Sequence, residues 1–147
     1  MKKTFQLFRQ GLFLALALGA ANVAMAQSEH RVDQDHLSRY WILLNTHVQM
    51  DAPNSGLNLN APSCAAVTYT IGSDGVPMNV QVVKVSPKSD LGPMAKSAVV
   101  NFRYGPSLTN HIGEPVSTYY IVPFNAPDDK AQQQKIMDAC RLPGFSQ

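Results

Sequence analysis

Between Ala66 and Ile71 the β-branched and aromatic residues Val67, Tyr69 and Ile71 alternate with Ala66, Thr68 and Thr70, the period of a half-buried strand. The turn that follows, Gly72-Ser73-Asp74-Gly75, ends in Asp-Gly, where glycine supplies the positive φ that a tight hairpin needs. A returning strand is expected over Met78 to Val85. Pro87 and Ser89-Asp90 stop it, and Leu91, Met94, Ala95, Ala98, Val99 and Phe102 then fall on one helical stripe. Ser89 or Asp90 is placed to cap the first free amides of that helix. Arg103 to Pro115 gathers Gly105, Pro106, Asn110, Gly113 and Pro115 and reads as a loop. Strand character resumes over Val116 to Phe124, with Tyr120, Val122 and Phe124 on one face and Tyr119 and Ile121 on the other. Pro123 cannot donate to a ladder, so this last strand is expected at a sheet edge.

The flanks carry weaker patterns. Leu37, Tyr40, Trp41, Leu44 and Val48 are spaced by three and four, which predicts an amphipathic helix within residues 29 to 49. Asp51 to Pro62 is rich in Pro, Asn, Ser and Gly and predicts a linking loop. After Pro127, the acidic pair Asp128-Asp129 and a basic end at Arg141 suit the dipole of a third helix, with Cys140 near its close. The expected class is α+β, a small antiparallel three-stranded sheet with helices on one face and extra N-terminal and C-terminal helices.

The first 26 residues change the charge balance. Lys2, Lys3 and Arg9 precede the apolar stretch Gly11 to Ala21, and Ala24-Met25-Ala26 is an A-x-A cleavage site. An apolar run of about 10 to 14 residues falls short of the roughly 20 that cross a bilayer. The expectation is a signal peptide cut after Ala26, a periplasmic product starting at Gln27, and no stable membrane insertion after cleavage. The domains are then residues 1–26, a leader; 27–62, an N-terminal helix and linker; and 63–147, the folded domain with its C-terminal helix. Three of the 12 Lys and Arg lie in the leader, leaving nine against 10 Asp and Glu, a net charge of −1. A near-neutral chain argues against nucleic acid, which wants a basic patch. Two cysteines, Cys64 and Cys140, both lie in the exported part, where an even count favours a disulfide over free thiols or metal ligands.

The ordered set of pieces resembles the C-terminal domain of TonB, the periplasmic energy transducer of Gram-negative bacteria. The residues that carry the resemblance are Val67-Thr68-Tyr69-Thr70-Ile71, Asp74-Gly75-Val76, Asn79-Val80-Gln81-Val82-Val83 and Leu91 with Ala95-Lys96-Ser97-Ala98-Val99. They continue through Asn101-Phe102-Arg103-Tyr104, Pro106-Ser107 and Gly113-Glu114-Pro115-Val116 to Val122-Pro123-Phe124. The match spans about 60 residues. It implies a three-stranded antiparallel sheet that takes an extended segment of an outer-membrane receptor or other envelope protein as an added strand beside its last strand. Carried over by position, the partner-binding edge is Ser117, Thr118, Tyr119, Tyr120, Ile121, Val122 and Phe124. An open edge strand displays amides and carbonyls for another strand to satisfy, which agrees with that implication. Two features depart from the family: its transducing members keep an uncleaved membrane anchor and a Pro-rich spacer, whereas here the leader reads as cleavable and no Pro-rich spacer is found, and Asn60-Ala61-Pro62-Ser63 stands where many members carry Tyr-Pro.

Competing chemistry is weaker. His30, Asp33 and His36 fall within one or two turns of the expected first helix, but no H-E-x-x-H or Cys/His signature accompanies them. No G-x-S-x-G elbow or S-x-x-K helix start is present for a serine nucleophile. Asp128 and Asp129 point about 100° apart on a helix, which suits capping better than paired-carboxylate catalysis. Arg103 follows the helix and reads as a C-terminal charge. Tyr119 and Tyr120 alternate across the last strand, so one of them facing solvent or a partner and both packing across strands account equally well for the pair. The reading is a non-enzymatic protein-binding module, with no cofactor and no metal. The alternatives are an anchored energy transducer with an uncut leader, an envelope metal-binding protein or enzyme using His30, Asp33 and His36, and a homodimer formed through the open edge.

Overall fold

The computed structural model describes residues 30–145, and the leader read at residues 1–26 lies outside the described residues. A 3-10 turn at Leu37–Arg39 leads into a short strand β1 (Trp41–Leu43), then β2 (Ser63–Ile71) and β3 (Pro77–Ser86). Helix α1 (Gly92–Val100) follows, then β4 (Tyr104–Pro106), β5 (Val116–Phe124) and helix α2 (Lys130–Asp138). The main sheet is antiparallel with order β3-β2-β5, and β1 pairs with β4 as a separate two-stranded ribbon. The α+β class and the three-stranded antiparallel sheet are as expected.

The hairpin forms where the alternation and the Asp-Gly turn predict it. Gly75 has φ +76, and its carbonyl accepts from the Tyr104 N–H at 2.9 Å. A Cβ at this position would stand 2.0 Å from the Tyr104 carbonyl oxygen, so the close approach of β4 to the turn admits only glycine. β2 is the central strand, and its burial is continuous from Ser63 to Val67 because both of its faces are covered. Ala65, Val67, Tyr69 and Ile71 join Trp41, Phe102 and the α1 residues Ala95 and Val99 in the larger core. Cys64 and Ala66, on the opposite face, join Tyr119, Ile121 and Cys140 in a second cluster.

The helices therefore sit on both faces of the sheet rather than on one. α1 lies over β3 and β2, with Gly92 letting the helix approach Val82 and Val85. α2 contacts β5 and β2 from the other side, fixed there by the Cys64–Cys140 disulfide. No residue of α2 is fully buried, and Ile136 and Met137 only half-cover the second cluster, so the covalent bond does much of the holding. The first free amides of α2 are capped as expected, with the Asp129 carboxylate accepting from the Gln132 N–H at 2.8 Å. At α1 the expectation fails: Leu91 occupies the N-cap position, while the Asp90 carboxylate accepts from the Leu57 N–H and so pins the preceding loop.

The amphipathic helix expected within 29 to 49 does not form. Trp41 is 1% exposed, but as a strand residue whose indole N–H donates to the Glu114 carbonyl at 3.0 Å, while Leu44 is 66% exposed. The three-and-four spacing arises in a segment whose burial is set by partners about 60 to 70 residues away, β4 and Glu114. The loop expected over 103 to 115 likewise contains β4 and a 3-10 turn, Leu108–Asn110.

Candidate strand-docking edge

β5 pairs with β2 through all nine of its residues, from Val116 opposite Ile71 to Phe124 opposite Ser63, without a register shift. In such a ladder alternate residues turn both backbone groups toward the neighbour or away from it. Ser117 turns outward, since its N–H donates to the His30 carbonyl and its carbonyl accepts from the Val32 N–H, each at 2.9 Å. The unbroken register then places Tyr119, Ile121 and Pro123 outward as well. The missing N–H of Pro123 thus falls on the side where no ladder bond is required, which is why proline is tolerated here.

This outer side is part-occupied by the protein's own backbone. Arg31 forms an isolated parallel bridge with Ser117, and the side-chain carbonyl of Gln34 accepts from the Ile121 N–H at 2.9 Å. The N–H of Tyr119, which lies between these points, donates to no acceptor among the described residues. The backbone leaves the edge after Asp33, whose carboxylate accepts from the His36 N–H at 2.9 Å and meets the His36 ring at 2.7 Å. Burial would raise the Asp33 carboxyl, but these contacts with His36 outweigh it and hold the group below its usual value.

Neither tyrosine of β5 is exposed. Tyr119 is 2% exposed and packs against Phe145 with ring centroids 4.8 Å apart, and Tyr120 is half-buried against Phe102 at 5.1 Å. Of the two readings, packing holds and exposure does not: the segment that follows α2 covers Tyr119 on the second face, and Phe102 covers Tyr120 on the first. Of the seven residues expected at the edge, then, Ser117, Tyr119 and Ile121 turn their backbone groups outward. Thr118, Tyr120, Val122 and Phe124 turn theirs toward β2. Across the sheet from β3 to β5 lies a groove of about 460 Å³, lined among others by Gln81 of β3, Thr68 and Thr70 of β2, Ser117 of β5, Arg31 and Phe145. The Arg31 guanidinium lies 5.3 Å from the Phe145 ring centroid, a cation–π contact.

Cys64 and Cys140 are disulfide-bonded, with Cα atoms 6.1 Å apart. His30 packs edge-on against Tyr40 at 4.6 Å and His36 against Asp33, so His30, Asp33 and His36 do not converge; among the described residues no group of three or more metal-ligating side chains gathers. Arg103 donates to the Val100 carbonyl at 3.0 Å and so closes the end of α1. Sequence reasoning missed residues 30–34 as a neighbour of β5, since this polar stretch has no strand-like alternation.

Residues 59–125 match the family model described as the Gram-negative bacterial TonB protein C-terminal. A solved structure, the solution NMR structure of the Pseudomonas aeruginosa TonB CTD, matches with 18% sequence identity and a TM-score of 0.37. The match covers 65% of the present sequence and 94% of that structure's. No curated protein matches significantly. Among the described residues no helix is long and apolar enough to cross a membrane.

Proposed function

We propose that this protein, which carries a TonB C-terminal domain at residues 59–125, is a periplasmic protein-binding module that recognises an extended segment of an outer-membrane receptor or other envelope protein by adding it beside β5. TonB C-terminal domains are non-enzymatic protein-interaction modules of the cell envelope, and the family match points to a TonB-like role in envelope transport.

The observation that carries the reading is the outward side of β5. Its N–H and C=O groups face away from the sheet at Ser117, Tyr119 and Ile121, and the lane beside them already holds extended backbone at Arg31. A geometry that accepts one strand by backbone hydrogen bonds accepts another of suitable shape, since the main-chain groups carry the affinity and the side chains the choice of partner. Near-neutral charge fits a partner read by backbone pairing rather than by electrostatic attraction.

The test is a titration of isotopically labelled protein with synthetic peptides copied from the extended N-terminal segments of outer-membrane receptors of the same bacterium. Amide shifts centred on Ser117, Tyr119 and Ile121 are expected. Binding whose shifts centre on β3, the opposite edge of the sheet, would overturn the assignment.

A further inference from the structure

Residues 30–34 lie in the lane where an added strand would sit, and among the described residues their backbone pairing with β5 is short. One parallel bridge, two backbone hydrogen bonds at Ser117 and one side-chain bond from Gln34 to the Ile121 N–H are made there, and the Arg31 guanidinium adds its cation–π contact with Phe145. By comparison, β2 meets β5 over nine paired residues. Within the segment only Val32 is buried, at 2% exposed, where it joins the larger core; His30, Asp33 and Gln34 are half-buried and Arg31 is exposed. The contact at Ile121 is made by a side-chain amide rather than by backbone, because the turn closed by Asp33 and His36 has already carried the backbone off the edge.

We infer that residues 30–34 are an internal strap over the docking lane, which an external segment displaces in order to bind. The inference rests on strand addition beside β5. The strap satisfies the outward groups of Ser117 and the N–H of Ile121 in the absence of a partner, which blunts an edge that would otherwise pair with other chains. An external strand cannot reach Ser117 while His30 and Val32 hold it, so the apparent affinity is reduced by the fraction of molecules in which the strap is closed. The strap also indicates what the lane takes: an extended segment parallel to β5, with an aliphatic residue in the position of Val32 and an amide side chain in the position of Gln34.

The experiment uses the strap's own chemistry as the probe. A synthetic peptide spanning residues 28–36 is titrated against the wild-type protein, Gln34→Ala and the double variant Val32→Ala/Gln34→Ala, with amide shifts recorded at Ser117, Tyr119 and Ile121. The double variant is expected to bind at least tenfold more tightly than wild type, and Gln34→Ala roughly fivefold more tightly, the loss of one hydrogen bond. Gln34→Ala touches no core residue and keeps the test valid where the double variant folds poorly. Equal affinity for all three proteins, with shifts on β5, would overturn the strap and leave strand addition standing. Absence of binding to folded Gln34→Ala and double variant would overturn strand addition at this edge, and the strap with it.

Discussion

Tyr69 and Tyr104 place their hydroxyls 2.6 Å apart, with both side chains buried and their rings stacked at 6.2 Å. Burial pushes both phenols above the usual tyrosine value near 10, because a phenolate here would lose its water; for Tyr69 the neighbouring Tyr104 adds to the effect. Below pH 10 the folded and unfolded states are both protonated at these sites. As the pH rises past 10 the unfolded state ionises first, so stability is lost on the alkaline side. The double variant Tyr69→Phe/Tyr104→Phe should stay within about 1 kcal/mol of wild type at pH 7, since both partners of the bond leave together. Its alkaline unfolding midpoint should move upward. Equilibrium unfolding at neutral and alkaline pH checks both points.

The Cys64–Cys140 disulfide joins positions 76 residues apart and fixes α2, which buries no residue fully. On the chain-entropy account a loop of this length contributes about 4 kcal/mol. Cys64→Ala/Cys140→Ala is expected to lower Tm by about 10–15 °C. It should also increase the binding of a hydrophobic dye, as the face carrying Ala66, Tyr119 and Ile121 loses its cover. Calorimetry and dye fluorescence measure the two effects separately.

Gly75→Ala should cost about 3 kcal/mol or more, because a Cβ meets the Tyr104 carbonyl and the positive φ is unfavourable for alanine. Chemical denaturation reads this directly. Gly105→Ala is the control: its added carbon would meet only the flexible end of Leu44, and the expected loss is under about 1 kcal/mol.

Mass spectrometry of the exported protein should find Gln27 at its N-terminus, the product of cleavage after Ala26. A mass that retains residues 1–26 would instead fit the anchored transducer.

The hairpin, α1 and β5 were legible because their signals are local: alternation from Val67 to Ile71, Asp74-Gly75 at the turn, the stripe from Leu91 to Phe102, and Pro123 on the outer side. Segments governed by distant partners were not. Trp41 and Leu44 share a helical spacing, yet one is enclosed by β4 and Glu114 and the other exposed, an outcome that pairing about 60 to 70 residues away decides. Tyr119 alternates correctly with Tyr120, but its burial comes from Phe145, outside any pattern the strand itself carries. Residues 30–34 are too polar to announce pairing, and their bonds to Ser117 and Ile121 engage β5 through backbone and one amide side chain, groups that hydrophobic periodicity does not register.

The most direct measurement of strand addition is hydrogen exchange at the Tyr119 amide, an outward donor on β5 that finds no acceptor among the described residues. With a receptor-derived extended peptide at saturating concentration, that amide should exchange at least tenfold more slowly, as an incoming carbonyl takes its hydrogen. An unchanged rate at Tyr119 in a protein shown to have bound the peptide would contradict docking beside β5.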